Sequence, residues 1–250
     1  MKRDPYQDFV HLALDLGVDG VDIDYEEVWH ADYHKTGPAG GPWQNIQTVY
    51  KLAAIYKDVQ SAIDSFGSHL FMSTAGSAAG AWQGNWWGGN LKGVSLQLAQ
   101  WYPSIASRIL WNVMTYDLSD NEEYYECPET GVCTLDQQVS FYMNTYTQGG
   151  SAFSLSSPGY EIGTPAYPDP EHDPTHQLPL TQTELSLILQ NTQSSYSHAF
   201  FWEIFKQPVA GSGEVTPTQL AQQLCTAVFG ATTPRCKGSL PMPPLASSST

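Results

Sequence analysis

Gly17-Val18-Asp19-Gly20-Val21-Asp22-Ile23-Asp24-Tyr25-Glu26 is the stretch on which the reading of this chain turns. It reads as a buried strand whose end is loaded with acid. Val18, Val21 and Ile23 supply β-branched bulk, and a glycine ahead of them lets the chain turn in. Side chains alternate along a strand, so Asp22, Asp24 and Glu26 share one face while Val21, Ile23 and Tyr25 take the other. Three carboxylates on one face repel one another and resist desolvation, so stability alone does not select them. Two structural readings compete with a functional one: an edge strand that uses charge against self-association, and a calcium-binding loop. The apolar opposite face weighs against the first. Missing calcium-loop glycine and oxygen-ligand spacing weighs against the second.

Outward from this strand the chain alternates. Residues 5–16 have helical spacing, with Phe9, Leu12 and Leu16 on one face, and Gly17 stops the helix. After Glu26 comes a loop with Trp29, Tyr33, Trp43 and several Gly and Pro. Residues 45–65 then form a helix with Ile46, Val49, Leu52, Ala53, Tyr56, Val59 and Ile63 inward. A second short buried strand, 70–75, opens into the glycine-rich loop 76–93, which carries Trp82, Trp86 and Trp87. Those tryptophans fit a sugar-binding rim and ordinary packing about equally well. Further strands read at 108–117, at 160–167 with Pro165 near its end, and at 198–203. Helices read at 134–147, 181–195 and 217–229. Strand and helix thus alternate at intervals of about forty residues, the rhythm of βα units on a parallel sheet. Right-handed crossovers make that a barrel or a doubly wound sheet. No glycine-rich phosphate loop follows a strand, which disfavours a nucleotide fold.

Composition narrows the partners. A formal net charge of −15 with only 10 Lys+Arg argues against nucleic acid or an anionic membrane surface and accommodates an uncharged polymer. No apolar run is long enough to span a membrane, and Met1-Lys2-Arg3 is not followed by the apolar core of an export signal. The four cysteines allow three connectivities. Proximity favours Cys127–Cys133 and Cys225–Cys236, each closing a short loop, in an oxidising compartment. Disulfides without an export signal suggest that the original N-terminus is missing. His30, Asp32 and His34, or His172 and His176, lack a third ligand at useful spacing, so no metal or other cofactor is expected.

Asp19-x-x-Asp22-x-Asp24-x-Glu26 resembles the D-x-x-D-x-D-x-E signature of glycoside hydrolase family 18, the chitinases and their relatives. The resemblance runs from about residue 5 to residue 206, with motifs in the family's order. Met114-Thr115-Tyr116-Asp117 looks like the family's M-x-Y-D motif on strand six. Gly163-Thr164-Pro165-Ala166-Tyr167 resembles the strand-seven segment, and Trp202 looks like the strand-eight tryptophan that floors the sugar site. The implied fold class is α/β, a (β/α)8 TIM-barrel type in which only the units for strands four to eight are present. Three preceding units, including an S-x-G-G motif, have no counterpart before Asp19, and five strands cannot close such a barrel. The implied division is a catalytic part over 1–237 and a Pro/Ser-rich tail or linker over 238–250.

The resemblance implies a secreted, retaining enzyme that cleaves β-1,4-linked N-acetylglucosamine, with the substrate's acetamide as nucleophile. Its partners are chitin or N-acetylglucosamine oligosaccharides, and it is a monomer if the barrel is complete. Glu26 becomes the general acid, its ionisation opposed by Asp24 and Asp22. Asp24 orients the acetamide and exchanges its proton partnership between Asp22 and Glu26, the acids titrating as a coupled set. Tyr116 donates to the acetamide oxygen. Met114, Asp117, Trp202 and Tyr167 are the substrate contacts, and Asp19 is structural. Alternatives are an endo-β-N-acetylglucosaminidase acting on N-glycans, a non-catalytic chitin-binding relative, and an inactive fragment. An intact Glu26 argues against the non-catalytic relative.

Overall fold

The computed structural model describes residues 4–25, 46–67, 69–82, 93–118, 134–149, 153–163, 178–192 and 196–239. The chain divides into two compact units, Met1–Met114 with Phe141–Ser156, and Thr115–Ser140 with Ser157–Thr250. It is an α/β protein with parallel strands.

In the first unit, α1 (Pro5–Leu16) starts at Asp4, whose carboxylate accepts the Tyr6 N–H at 3.0 Å. It stops at Gly17, whose φ of 67° is the left-handed turn that a side chain would oppose. The chain then forms β1 (Gly20–Ile23), α2 (Ile46–Ser65), β2 (Phe71–Ser77), α3 (Val94–Trp101), the short α4 (Pro103–Ala106) and β3 (Ile109–Met114). The second half of α5 (Leu135–Gln148) and β4 (Ser154–Leu155) complete the unit. The four strands lie in the order β1-β2-β3-β4, all parallel.

The register gives the sheet two unlike faces. One carries Val21, Thr74, Ile109, Trp111 and Val113, against which helices pack. The Tyr56 hydroxyl of α2 reaches Thr74, and the Trp111 indole donates to Ala106 O at 3.3 Å. Trp111 also meets the rings of Tyr146 from α5 and of Phe153. The Tyr146 hydroxyl donates to Ser77 O at 2.7 Å, which leaves the Ser95 hydroxyl of α3 as donor to Tyr146. The other face carries Asp22 opposite Ser73, Ala75 opposite Asn112, and Ser77 opposite Met114.

The second unit holds the start of α5, β5 (Gly159–Glu161), α6 (Gln182–Asn191), β6 (Phe200–Trp202) and α7 (Pro217–Phe229). β5 and β6 are parallel, pairing Gly159 with Phe200 and Glu161 with Trp202. Thr216 and Gln219 form a capping box at the head of α7, and Pro217 occupies its first turn. Cys225 of α7 is disulfide-bonded to Cys236 in a one-turn 3-10 helix, Pro234–Lys237.

Several expectations change here. The α1 face expected from Phe9, Leu12 and Leu16 stays exposed, and Val10 and Ala13 are buried instead. Smaller side chains let α1 settle closely where the two helices α1 and α2 meet. In β1 only Val21 is buried, because the strand has a single hydrogen-bonded neighbour among the described residues. α3, α4 and β4 had no counterpart in the periodicity reading. The expected Cys127–Cys133 pair and the tail beyond 239 lie outside the described residues.

Gly80 lies where an added Cβ would come within 2.3 Å of the Tyr146 hydroxyl and 2.4 Å of Ser95 Oγ. Gly80→Ala is therefore expected to cost about 1–3 kcal/mol of stability, read as a lower denaturation midpoint at unchanged slope. The Cys225–Cys236 bridge spans a sequence separation of 11. Replacing both cysteines by serine is expected to cost about 2–3 kcal/mol in the same assay.

Candidate functional site

Asp22 of β1 stands on the sheet face away from the helices. Asp22 and Asp24 are exposed, whereas Val21 between the helices and the sheet is buried. Asp22 Oδ1 accepts from the Ser73 hydroxyl on β2 and from Asn112 Nδ2 on β3 at 3.1 Å. Three adjacent strands thus fix one carboxylate oxygen. Parallel pairing dictates this, since residues of equal parity in neighbouring strands share a face.

Partial desolvation, then the negative charge of Asp22, holds the Asp24 carboxyl above the usual carboxylate range. Just before it, the Ile23 carbonyl accepts from Thr74 Oγ1 at 2.7 Å. Having donated its only proton there, Thr74 receives one from the Tyr56 hydroxyl at 2.5 Å. Burial pushes the Tyr56 hydroxyl up and keeps it protonated for that role. A helix residue thereby anchors the strand end that carries Asp24.

The second unit holds another group of the expected residues. Thr115 Oγ1 donates to Gly159 O at 2.9 Å, tying the loop after β3 to the start of β5. Tyr116 follows, with its ring edge-to-face against Phe200 at a centroid distance of 6.4 Å. Asp117 has φ 52°, the one non-glycine residue in the left-handed region among the described residues. Trp202 ends β6 with 49% of its surface exposed, too open for a core tryptophan, and its peptide bond to Glu203 is cis. Beside Asp117 sits Glu161, buried and ion-paired with Lys206 Nζ through Oε1. Burial, then the Asp117 carboxyl, pushes Glu161 up to about 8, against the opposing pull of Lys206.

The structure thus brings Asp22 and Asp24 together on the first unit, and Tyr116 and Asp117 near Glu161 on the second. Met114 is half-buried at the end of β3. Glu26 and Tyr167 lie outside the described residues, as do Trp86, Trp87 and the paired histidines. Trp82, from the same glycine-rich loop, packs edge-on against Phe141 and Tyr142 of α5, which favours packing for that one. Sequence reading missed Ser73, Asn112, Glu161 and Lys206. Strand parity could have found the first two, because both fall on the Asp22 face. Glu161 was visible only as a charged residue inside an apolar strand.

Among the clefts bounded by described residues, one of about 710 Å³ lies between α2 and α4, lined by Tyr50, Lys57, Tyr102 and Arg108. It is on the helix side and reaches the amino end of β3, not the carboxyl ends of strands where ligands of parallel sheets gather. A smaller cavity of about 20 Å³ lies beside Asp117 and Glu161. No protein-family model matches the chain, and no curated protein matches it either.

Removing the charge at Asp22 should make Asp24 easier to ionise. In Asp22→Asn the Asp24 titration midpoint, followed by carboxyl ¹³C NMR, is expected to fall but to remain above the ordinary range, because burial is the larger cause. A midpoint that rises, or does not move, contradicts the coupling.

Proposed function

We propose that this chain is a retaining glycoside hydrolase acting on β-1,4-linked N-acetylglucosamine polymers, built on the later units of a (β/α)8-type barrel. The observation that carries the reading is the two-faced parallel sheet. Helices pack on one face, and Asp22 stands on the other with polar neighbours from β2 and β3, with Asp24 two residues further along the chain. A sheet closed into a barrel has this division, with helices outside and functional side chains at the strand ends. The exposed Phe9, Leu12 and Leu16, together with Val18 and Phe71, are surfaces that a preceding strand–helix unit would cover.

In this reading each acid has a separate role. Glu26, two residues beyond Asp24 in the same alternation, protonates the departing glycosidic oxygen and later activates water. Asp24 holds the acetamide in the position from which its oxygen attacks the anomeric carbon, and it stabilises the cyclic cation formed. A carboxyl held above the usual range suits that role, since it can carry a proton in one step and release it in the next. Asp22, fixed by Ser73 and Asn112, is the alternative partner for that proton. Tyr116 donates to the acetamide, Asp117 and Met114 contact the sugar, Tyr167 is a further contact, and Trp202 offers an exposed apolar ring face. A neutral polymer suits the charge of −15, and the Cys225–Cys236 bridge suits an oxidising, extracellular setting.

The test is release of fluorophore from an N-acetylchitotrioside by the full chain, with Glu26→Gln beside it. The parent is expected to turn over, and the variant to lose at least roughly a hundredfold in kcat with its circular dichroism unchanged. Parental turnover by the variant would remove Glu26 from the mechanism. A folded parent without turnover would remove the enzyme reading.

A further inference from the structure

Around Glu161 the second unit places two carboxyls against one cation. Glu161 is 6% exposed, and its Oε1 takes the Lys206 ammonium. Its Oε2 is buried and, among the described residues, receives no N–H or O–H. Asp117, itself a carboxyl, lines the same small cavity as Glu161, and its charge bears on it. Ionised carboxylates only accept, so two of them can hydrogen-bond only by sharing a proton. Charge points the same way. With Lys206 positive and Asp117 negative, a neutral Glu161 leaves the group balanced, whereas an ionised one buries an uncompensated charge. Other titratable groups nearby do not relieve this. Glu214, next to Lys206, adds a further acid, and Tyr160 is held protonated by burial. Asp117 is in addition kept in the left-handed backbone region, a conformation that needs its surroundings to hold it.

We propose that Glu161 is a positioning residue: its carboxyl is the proton donor in a carboxyl–carboxylate pair with Asp117, braced by Lys206, and so holds Asp117 in the orientation in which it meets a sugar hydroxyl. The sugar half of this inference rests on the function proposed above, and the proton half does not. Burial and Asp117 hold the Glu161 proton until about pH 8, so the pair is intact at neutral pH and comes apart as pH rises through that value. An unfolded chain releases the same proton near the ordinary glutamate value of 4.5. Folding stability should therefore fall as pH rises from about 4.5 towards about 8, and Glu161→Gln should remove that slope. Gln is the informative variant because its carbonyl can accept from Lys206 and its amide can donate to Asp117, reproducing the protonated acid.

The experiment uses the full chain with ¹³C-labelled carboxyls and no ligand. One glutamate resonance is expected to titrate near pH 8, to be absent from Glu161→Gln, and to move down in Asp117→Asn, where an amide donor replaces the acid. If Glu161 titrates in the ordinary carboxylate range, served by Lys206 and a water in the adjacent cavity, the shared proton is overturned. Positioning is then read from KM for the N-acetylchitotrioside. The parent KM should rise above about pH 8, Glu161→Gln should stay flat, and Glu161→Leu should raise KM roughly tenfold at unchanged kcat. A flat parent, or a Gln variant as weak as Leu, overturns positioning. A parent that neither binds nor cleaves the trioside overturns the proposed function and with it the sugar half, while the titration still decides the proton.

Discussion

Parallel register is the constraint on which the first unit depends. Asp22 is paired with Ser73, and Ser73 with Leu110, so alternate side chains from three strands must share a face. Trp111, Val113 and Thr74 take the face where α2, α3 and α5 bury their aromatic and hydroxyl groups. Asp22 is left on the face with Asn112 and Met114. A slip by one residue would send Asp22 into the helix-packed side and expose Val21, at the cost of burying an ion. The pattern that makes the core therefore also displays Asp22.

The second unit solves a different electrostatic problem. Glu161 is buried on a strand whose neighbours Tyr160 and Ile162 are core residues, and Lys206 is ion-paired with it. Burial of a second carboxyl beside the first is tolerable when one of the two keeps its proton. Asp117 and Glu161 are then a matched pair rather than a repulsive one. In the proposed reading this gives the sugar site a carboxylate of defined orientation.

Much of this was legible in the chain. Helices 5–16 and 217–229 have the expected bounds, since Asp4-Pro5 with Gly17, and Thr216-Pro217 with Gly230, are strong stop and start signals. The inward face of α2, from Val49 to Ile63, follows the 3.6-residue period and is buried as expected. Periodicity failed at α3 and α4, which are short and follow a glycine-rich loop, and at β4, which has two residues. It also failed on α1, where apolar content alone could not say which flank meets α2. In the candidate site, the acid spacing marked Asp22 and Asp24 directly. The donors Ser73 and Asn112, and the Lys206–Glu161–Asp117 group, depend on register and on chain reversals that no local pattern encodes.

The central claim is that the acid-bearing sheet face is where the chain meets its ligand. Mapping backbone amide shifts of the ¹⁵N-labelled chain on titration with N-acetylchitotriose tests it most directly. The account predicts that shifts gather at Asp22, Asp24, Ser73 and Asn112, and spare the helix-facing residues around Trp111 and Tyr56. Shifts gathered instead at the cleft between α2 and α4, near Lys57 and Tyr102, or no saturable shifts from the folded chain, would contradict it.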